Sequence, residues 1–222
     1  MIIAIDGPAG SGKGTLAKAL AKKLNLVNID TGATYRCVAL KVLRNKIDIS
    51  NQEAIIAIAQ DIKIDLLVDG TVLLDGEDVT KEIRSKEVTS IVSPISSITE
   101  VRKILVDIQR NIASGKDVVM EGRDITTVVF PEAKYKFYLD ASVETRAQRR
   151  YTENLEKGID MSYEEVYDSI VKRDYNDMHK EVGSLMRTPD QIYIDTTNLT
   201  VDEEVMIIEK VIRGENNEEN DR

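Results

Sequence analysis

The 222-residue chain contains a single cysteine, Cys37, and a single histidine, His179. An internal disulfide is therefore excluded, and a zinc site built on that pair is short of ligands. Apolar runs stop after a handful of residues, far short of the roughly 20 that cross a bilayer. Positive charge is in deficit, with 30 Lys and Arg against 39 Asp and Glu and a formal net charge of −9. Nonspecific nucleic-acid binding needs a basic footprint, so no nucleic-acid partner is expected. The opening Met1-Ile2-Ile3-Ala4-Ile5-Asp6 has neither a basic n-region nor a cleavage site, so no secretion signal is expected. These absences together fit a cytoplasmic protein with no membrane partner.

What is present is an ordinary globular composition, 42% hydrophobic and 31% charged. Ile2–Asp6 reads as a short buried strand and Gly7–Gly14 as a glycine-rich loop. Leu16, Leu20 and Leu24 then repeat at helical spacing. Val27–Asp30, Lys116–Glu121, Lys136–Asp140 and Ile192–Asp195 read as further strands. Helices are expected over Ala33–Asn45, from Thr99 through Ile112, over Val143–Tyr151, from Ser162 to about His179, and from Thr200 to Gly214. Ser50/Glu53, Ser162/Glu165 and Thr200/Glu203 have the spacing of capping boxes. Ile64–Val68 and Thr71–Leu74 flank Asp69-Gly70, a hairpin signal that interrupts the βα alternation. Glu215–Arg222 is free of apolar residues and is expected to fray. Alternating strands and helices imply a three-layer α/β architecture with a parallel sheet. Ligands then sit at the carboxyl ends of the strands, just after Asp6, Asp30, Glu121 and Asp140.

Gly7-Pro8-Ala9-Gly10-Ser11-Gly12-Lys13 matches G-x-x-x-x-G-K between a strand and a helix. Such a loop turns backbone N–H groups onto phosphate oxygens, and the helix N-terminus adds a positive field. A mere glycine turn with a surface lysine would lack this context. Gly14 replaces the usual hydroxyl residue after the lysine, and Thr15 follows it. A GTP-switch reading finds Asn45-Lys46-Ile47-Asp48, but at a helix end, and no aspartate is followed three residues later by glycine. That match is read as chance. Arg36, early in the helix after Asp30, offers a fork for a second phosphate. Glu121, at a strand end, can orient metal-bound water. Cys37 reads as a small buried residue and His179 as packed or solvent-facing near a helix end.

These residues resemble the bacterial cytidylate kinases. The likeness runs through Gly7–Thr15, Asp30–Arg36, Gly76-Glu77-Asp78-Val79, Glu82-Ile83-Arg84, Glu121-Gly122-Arg123-Asp124, Thr127–Pro131 and Leu139–Ser142, to about Ile212. It implies a P-loop NTPase fold with an inserted α+β acceptor-binding subdomain and a short lid. The core would comprise 1–36, 97–148 and 163–214, the insertion 37–96 and the lid 149–162. It implies in-line transfer of the ATP γ-phosphoryl group to CMP and dCMP, with Mg²⁺, by a monomer. Lys13, Arg36 and Arg123 would be catalytic. Gly7, Pro8, Ala9, Gly10, Ser11, Gly12, Lys13, Gly14 and Thr15 would hold ATP, with Arg146, Arg149 and Arg150 where the lid begins. Thr31, Tyr35, Arg36 and Arg123 would hold the acceptor and its phosphate. Ser93, Arg102 and Asp124 would read the base, and Arg173 and Asp177 would face the sugar. Thr15 and Glu121 would lie on the metal side, directly or through water. Three positions depart from the family pattern: Glu121 stands for aspartate, Lys180 for arginine and Thr31 for serine. The competing readings are a kinase for UMP, AMP or a metabolite hydroxyl, and a noncatalytic nucleotide-binding protein.

Overall fold

The structure is a computed structural model that describes residues 1–214, so the tail expected to fray lies outside the described residues. In chain order the first half comprises β1 (Ile2–Asp6), α1 (Lys13–Leu24), β2 (Val27–Asp30), α2 (Thr31–Arg44) and α3 (Gln52–Gln60). Three short strands follow, β3 (Ile64–Leu66), β4 (Val72–Leu74) and β5 (Glu77–Asp78), then α4 (Lys86–Ile95) and α5 (Thr99–Ala113). The second half comprises β6 (Val118–Gly122), β7 (Tyr135–Asp140), α6 (Val143–Glu156), α7 (Tyr163–Met178), β8 (Ile192–Asp195) and α8 (Val201–Arg213).

The main sheet is five-stranded in the order β2-β6-β1-β7-β8, with every pairing parallel. Strand side chains alternate between faces. On one face Ile3, Ile5, Phe137 and Leu139 pack under α1 and α8 through Leu16, Leu20, Val205 and Ile208. On the other, Ala4, Ile29 and Met120 meet Val106 of α5 and Ile125 and Val129 of a π-helical turn over Ile125–Val129. Burial on both faces explains why β1 and β6 read as unbroken apolar runs. A separate core joins Val38 of α2, Ile55 of α3, Leu105 of α5 and Val88 of α4 to Val72 and Leu74 of the antiparallel β3-β4-β5 sheet.

Local chemistry moved several expected boundaries. α2 starts at Thr31, not Ala33, because Asp30 at the strand end is itself the N-cap and accepts from the Ala33 amide at 3.2 Å. The Ser50/Glu53 box does not form: the Ser50 hydroxyl bonds Asp48 Oδ1 at 2.8 Å, and Asn51 caps α3. The other two boxes do form, at Ser162/Glu165 and Thr200/Glu203. Helix α6 continues past Tyr151 to Glu156 before the left-handed Gly158 (φ 67°). The reading of the sequence passed over α4, whose last turn holds Pro94 and whose N-cap is Ser85. The hairpin closes through Leu67–Thr71, wider than a two-residue turn, with the Leu67 amide donating to the Thr71 carbonyl at 2.9 Å.

Candidate active site

The carboxyl ends of β1, β2 and β6 open into a cleft of about 640 Å³. At the end of β1 the chain turns at Gly7, where a Cβ would sit 2.0 Å from the Leu139 carbonyl oxygen of β7. No side chain fits there, so the loop can press against the sheet only with glycine. Gly12 (φ 93°) caps α1 in the left-handed region that glycine tolerates. Lys13, the first residue of α1, curls back over the loop, and its Nζ donates to the Pro8 carbonyl at 2.7 Å. Burial and the neighbouring Arg123 push its pKa down to about 7. An anion in the loop would reverse that shift.

Asp6, the last residue of β1, is fully buried. Its carboxylate accepts from the Ile125 amide at 2.8 Å, the Thr126 amide at 2.9 Å and the Thr126 hydroxyl at 2.6 Å. Burial raises its pKa against those bonds. Its work is to fasten the π-helical turn that follows Asp124.

At the end of β2, Asp30 binds Arg36 Nη2 at 2.6 Å and Arg84 Nη2 at 3.2 Å. Burial alone would raise the Asp30 carboxyl, but the two arginines outweigh it and lower it. The Thr31 hydroxyl donates to the Glu121 carbonyl at 2.8 Å and ties β2 to β6. A Cβ at Gly122 would come within 2.6 Å of that hydroxyl oxygen. The Glu121 carboxylate faces Gly14, and burial together with Asp30 raises its pKa.

Two further pairs complete the far wall. Arg102 and Asp124 form a buried ion pair, with side chains 5% and 7% exposed. Arg102 Nη1 also donates to the Ser96 carbonyl at 3.0 Å, and its guanidinium lies 5.4 Å from the Tyr35 ring centre. Asp177 gathers Arg123 Nε at 2.7 Å, Lys180 Nζ at 3.1 Å and, farther off, Arg173 Nε at 3.9 Å. Burial would raise the Asp177 carboxyl, but Arg123, Lys180 and Arg173 hold it at about 2. Arg173, whose side chain is 48% exposed at the cleft mouth, falls to about 10 through desolvation between the cleft walls and repulsion from Arg123.

The structure thus brings Lys13, Gly14, Thr15, Thr31, Tyr35, Arg36, Arg102, Glu121, Arg123, Asp124, Arg149, Arg150, Arg173 and Asp177 to one cleft. Gly7, Pro8 and Ser11 form the base of the loop beneath it. Ala9, Gly10 and Gly12 of the loop also line the cleft, and two further residues named from the sequence lie outside it. Arg146 is buried behind the loop, donating to Asp174 Oδ2 at 2.6 Å, the Ala9 carbonyl at 3.1 Å and the Ala141 carbonyl at 3.0 Å. Its charge is spent bracing the loop against α7. Ser93 is exposed on α4, while Val92 and Ser96 of the same segment face the cleft. Sequence reasoning also missed Arg84 as a cleft residue, and Gly183, where a Cβ would overlap Arg102. Arg84 sat within a quoted motif, but only its pairing with Asp30 gives it a place. His179 is exposed at the end of α7 and stacks on Tyr175 at 4.1 Å. Cys37 is buried, and burial pushes its thiol up to about 12.

Comparison with known proteins decides the family. The family model described as cytidylate kinase matches residues 3–216. The chain belongs to the cytidylate kinase family. A cytidylate kinase of Caldanaerobacter subterraneus subsp. tengcongensis is 52% identical over 212 residues, covering 95% of this chain and 94% of that one. One from Alkaliphilus oremlandii is 48% identical, covering 96% and 97%. A crystal structure of an uncharacterized protein from Eubacterium ventriosum shares the fold alone, with a TM-score of 0.53 at 15% identity, covering 96% and 98%. This cytidylate kinase family member is a nucleoside monophosphate kinase, a phosphotransferase of the α/β P-loop NTPase fold. No described helix is long and apolar enough to cross a membrane.

Proposed function

We propose that the kinase transfers the γ-phosphoryl group of ATP to CMP and dCMP, releasing ADP with CDP or dCDP, by direct in-line displacement. The observation that carries the reading is the buried Arg102–Asp124 pair at the wall of the cleft that also holds the phosphate loop. Cytosine presents an N4 amino donor beside the N3 and O2 acceptors. Asp124 can accept from N4, and Arg102 can donate to the acceptor edge. Uracil puts an oxygen where the amino group stood and would face a carboxylate. One such contact discriminates by roughly 1–3 kcal/mol.

Phosphoryl transfer asks for positioning and charge neutralisation more than for a strong base. The loop amides and Lys13 hold the donor phosphates. Arg36 and Arg123 take the acceptor phosphate, each already oriented by a carboxylate, Asp30 and Asp177 respectively. Arg173 and Asp177 face the sugar, and Asp177 offers an ionised acceptor throughout the neutral range. No group of three His, Cys, Asp or Glu that could hold a metal occurs among the described residues. The Thr15 hydroxyl and the Glu121 carboxylate are nonetheless hard oxygen donors lining one cleft, and Glu121 forms no ion pair among the described residues, although Lys13 and Arg123 stand near it. They fit Mg²⁺, which takes few protein ligands and keeps phosphate and water oxygens. When bound, Mg²⁺ neutralises charge on the phosphates. We assign the acceptor insertion to 37–96 and the lid to 149–162, carrying Arg149 and Arg150 over the donor side.

The test is ADP release in a coupled assay with ATP, Mg²⁺ and CMP, dCMP, UMP, AMP, GMP or no acceptor. Turnover confined to CMP and dCMP is expected. Equal turnover with UMP removes the base-reading role of Arg102 and Asp124.

A further inference from the structure

Glu204 lies in the first half of α8, is 2% exposed and has no part in the chemistry above. Its Oε2 is buried without a hydrogen-bond partner among the described residues. Both carboxylate oxygens approach the phosphate loop. A Cβ added to Gly12 would lie 3.9 Å from Oε1, 4.0 Å from Oε2 and 3.8 Å from Arg149 Nη1. Arg149 gives its hydrogen bonds to neutral groups, Nη1 to Thr196 Oγ1 at 3.1 Å and Nη2 to the Thr196 carbonyl at 2.7 Å. Thr196 Oγ1 in turn donates to the Ser11 carbonyl at 3.1 Å. A guanidinium is thus anchored at the donor end of the cleft with an unsatisfied carboxyl group close by.

A buried carboxylate without a partner is costly, and the cost falls when it takes a proton. Burial pushes the Glu204 pKa up to about 7 against the pull of Arg149. Arg149 is the charged group that faces it from α6. The loop presents Gly12, and the residue after β8 presents Thr196.

We propose that Glu204 is a positioning residue whose protonation sets how much of the Arg149 charge is offered to the donor nucleotide. As a neutral acid it leaves the whole guanidinium charge to the phosphates. As a carboxylate it competes for that charge and repels phosphate across Gly12. Linkage is reciprocal, so phosphates bound at Gly12 favour the acid, and nucleotide binding draws a proton from solvent onto the carboxylate. The inference rests on donor phosphates lying along Gly7–Thr15.

The experiment titrates the intact protein calorimetrically with ATP and Mg²⁺ near neutral pH, in buffers of different ionisation heat, for wild type, Glu204→Gln and Glu204→Leu. Wild type is expected to take up more protons than either variant. Its KM for ATP should rise by roughly fivefold or more, relative to Glu204→Gln, as pH increases through neutrality. The KM for CMP should move equally in both. Lys13 also titrates near 7, but it does so in all three proteins and drops out of the difference. Equal proton uptake with parallel KM profiles in wild type and Glu204→Gln overturns the proposal. Glutamine removes charge at constant shape, and leucine serves if a buried amide prevents folding. Absence of any binding heat in all three folded proteins overturns the donor-site reading itself, and the proposal with it.

Discussion

The two ends of the cleft are built from different materials. The end proposed for the donor is main chain: Gly7 pressed against Leu139, Gly12 in the left-handed region, and Lys13 folded onto the Pro8 carbonyl. The end proposed for the acceptor is side chain: Asp30 with Arg36 and Arg84, Arg102 with Asp124, and Asp177 with Arg123 and Lys180. A backbone cradle depends on φ, ψ and the absence of Cβ atoms, and it recognises any phosphate. A cradle of ion pairs depends on which charges the fold brings together, and it can distinguish one base from another. Damage to the first should remove turnover on all substrates alike. Damage to the second should change the ranking of substrates.

The sharpest break is Gly7→Ala. A methyl group 2.0 Å from a carbonyl oxygen of the central sheet has no room. The loop or β7 must move, and displaced loop amides cost kcat/KM on the order of hundredfold or more, uniformly across CMP, dCMP and UMP. A substrate-dependent loss would blur the contrast between the two ends. Asp124→Ala should come next. It leaves the Arg102 charge buried and unpaired, which lowers stability by roughly 3–5 kcal/mol in denaturant unfolding. Its CMP-over-UMP preference should fall by roughly tenfold or more, with a smaller change in KM for ATP. An unchanged preference would sink the base-reading assignment.

The smallest effect concerns acid. The folded Asp177 pKa of about 2 lies below the ordinary aspartate value. The folded state therefore holds its proton less tightly than the unfolded state. This contribution to stability is present above about pH 4 and is lost as pH falls towards 2. Asp177→Asn should unfold less steeply across that acid window than wild type, as followed by circular dichroism. Equal steepness would mean that the Arg123 and Lys180 pairs contribute little.

The strand, loop and helix at the end proposed for the donor were legible because they are contiguous: a buried strand, spaced glycines and a lysine opening a helix are all local features. The five main strands were legible as short local patterns: burial on both faces writes apolar runs into β1 and β6, while the edge strands β2 and β8 are short segments that alternate apolar with polar or half-exposed residues. Capping boxes were legible where nothing competed, at Ser162 and Thr200, and misread at Ser50, where Asp48 took the hydroxyl. Helix α4 was passed over although Val88, Ile91, Val92 and Ile95 have helical spacing, because Pro94 and a serine-rich stretch broke the pattern. At the acceptor end the motifs and the family likeness pointed to most of the residues but not to their partners. Arg146 and Arg149 sit three residues apart in one basic helix, yet one braces the loop against Asp174 and the other reaches the cleft. Charge type and spacing cannot separate them, because the difference lies in what packs opposite each side chain.

The sequence alone determined the five main strands, most of the helices, the glycine-rich loop after β1 and the family, since these depend on neighbours in the chain, on periodicity and on the likeness. Tertiary structure alone decided the pairings: Asp30 with Arg84 across 54 residues, Arg102 with Asp124, and Lys180 with Ser96 across 84. It also decided that Glu204 stands beside Gly12 with its Oε2 lacking a hydrogen-bond partner among the described residues. The energy of a charge depends on burial and on the sign of what faces it. Both are properties of distance in space, which position along the chain does not encode.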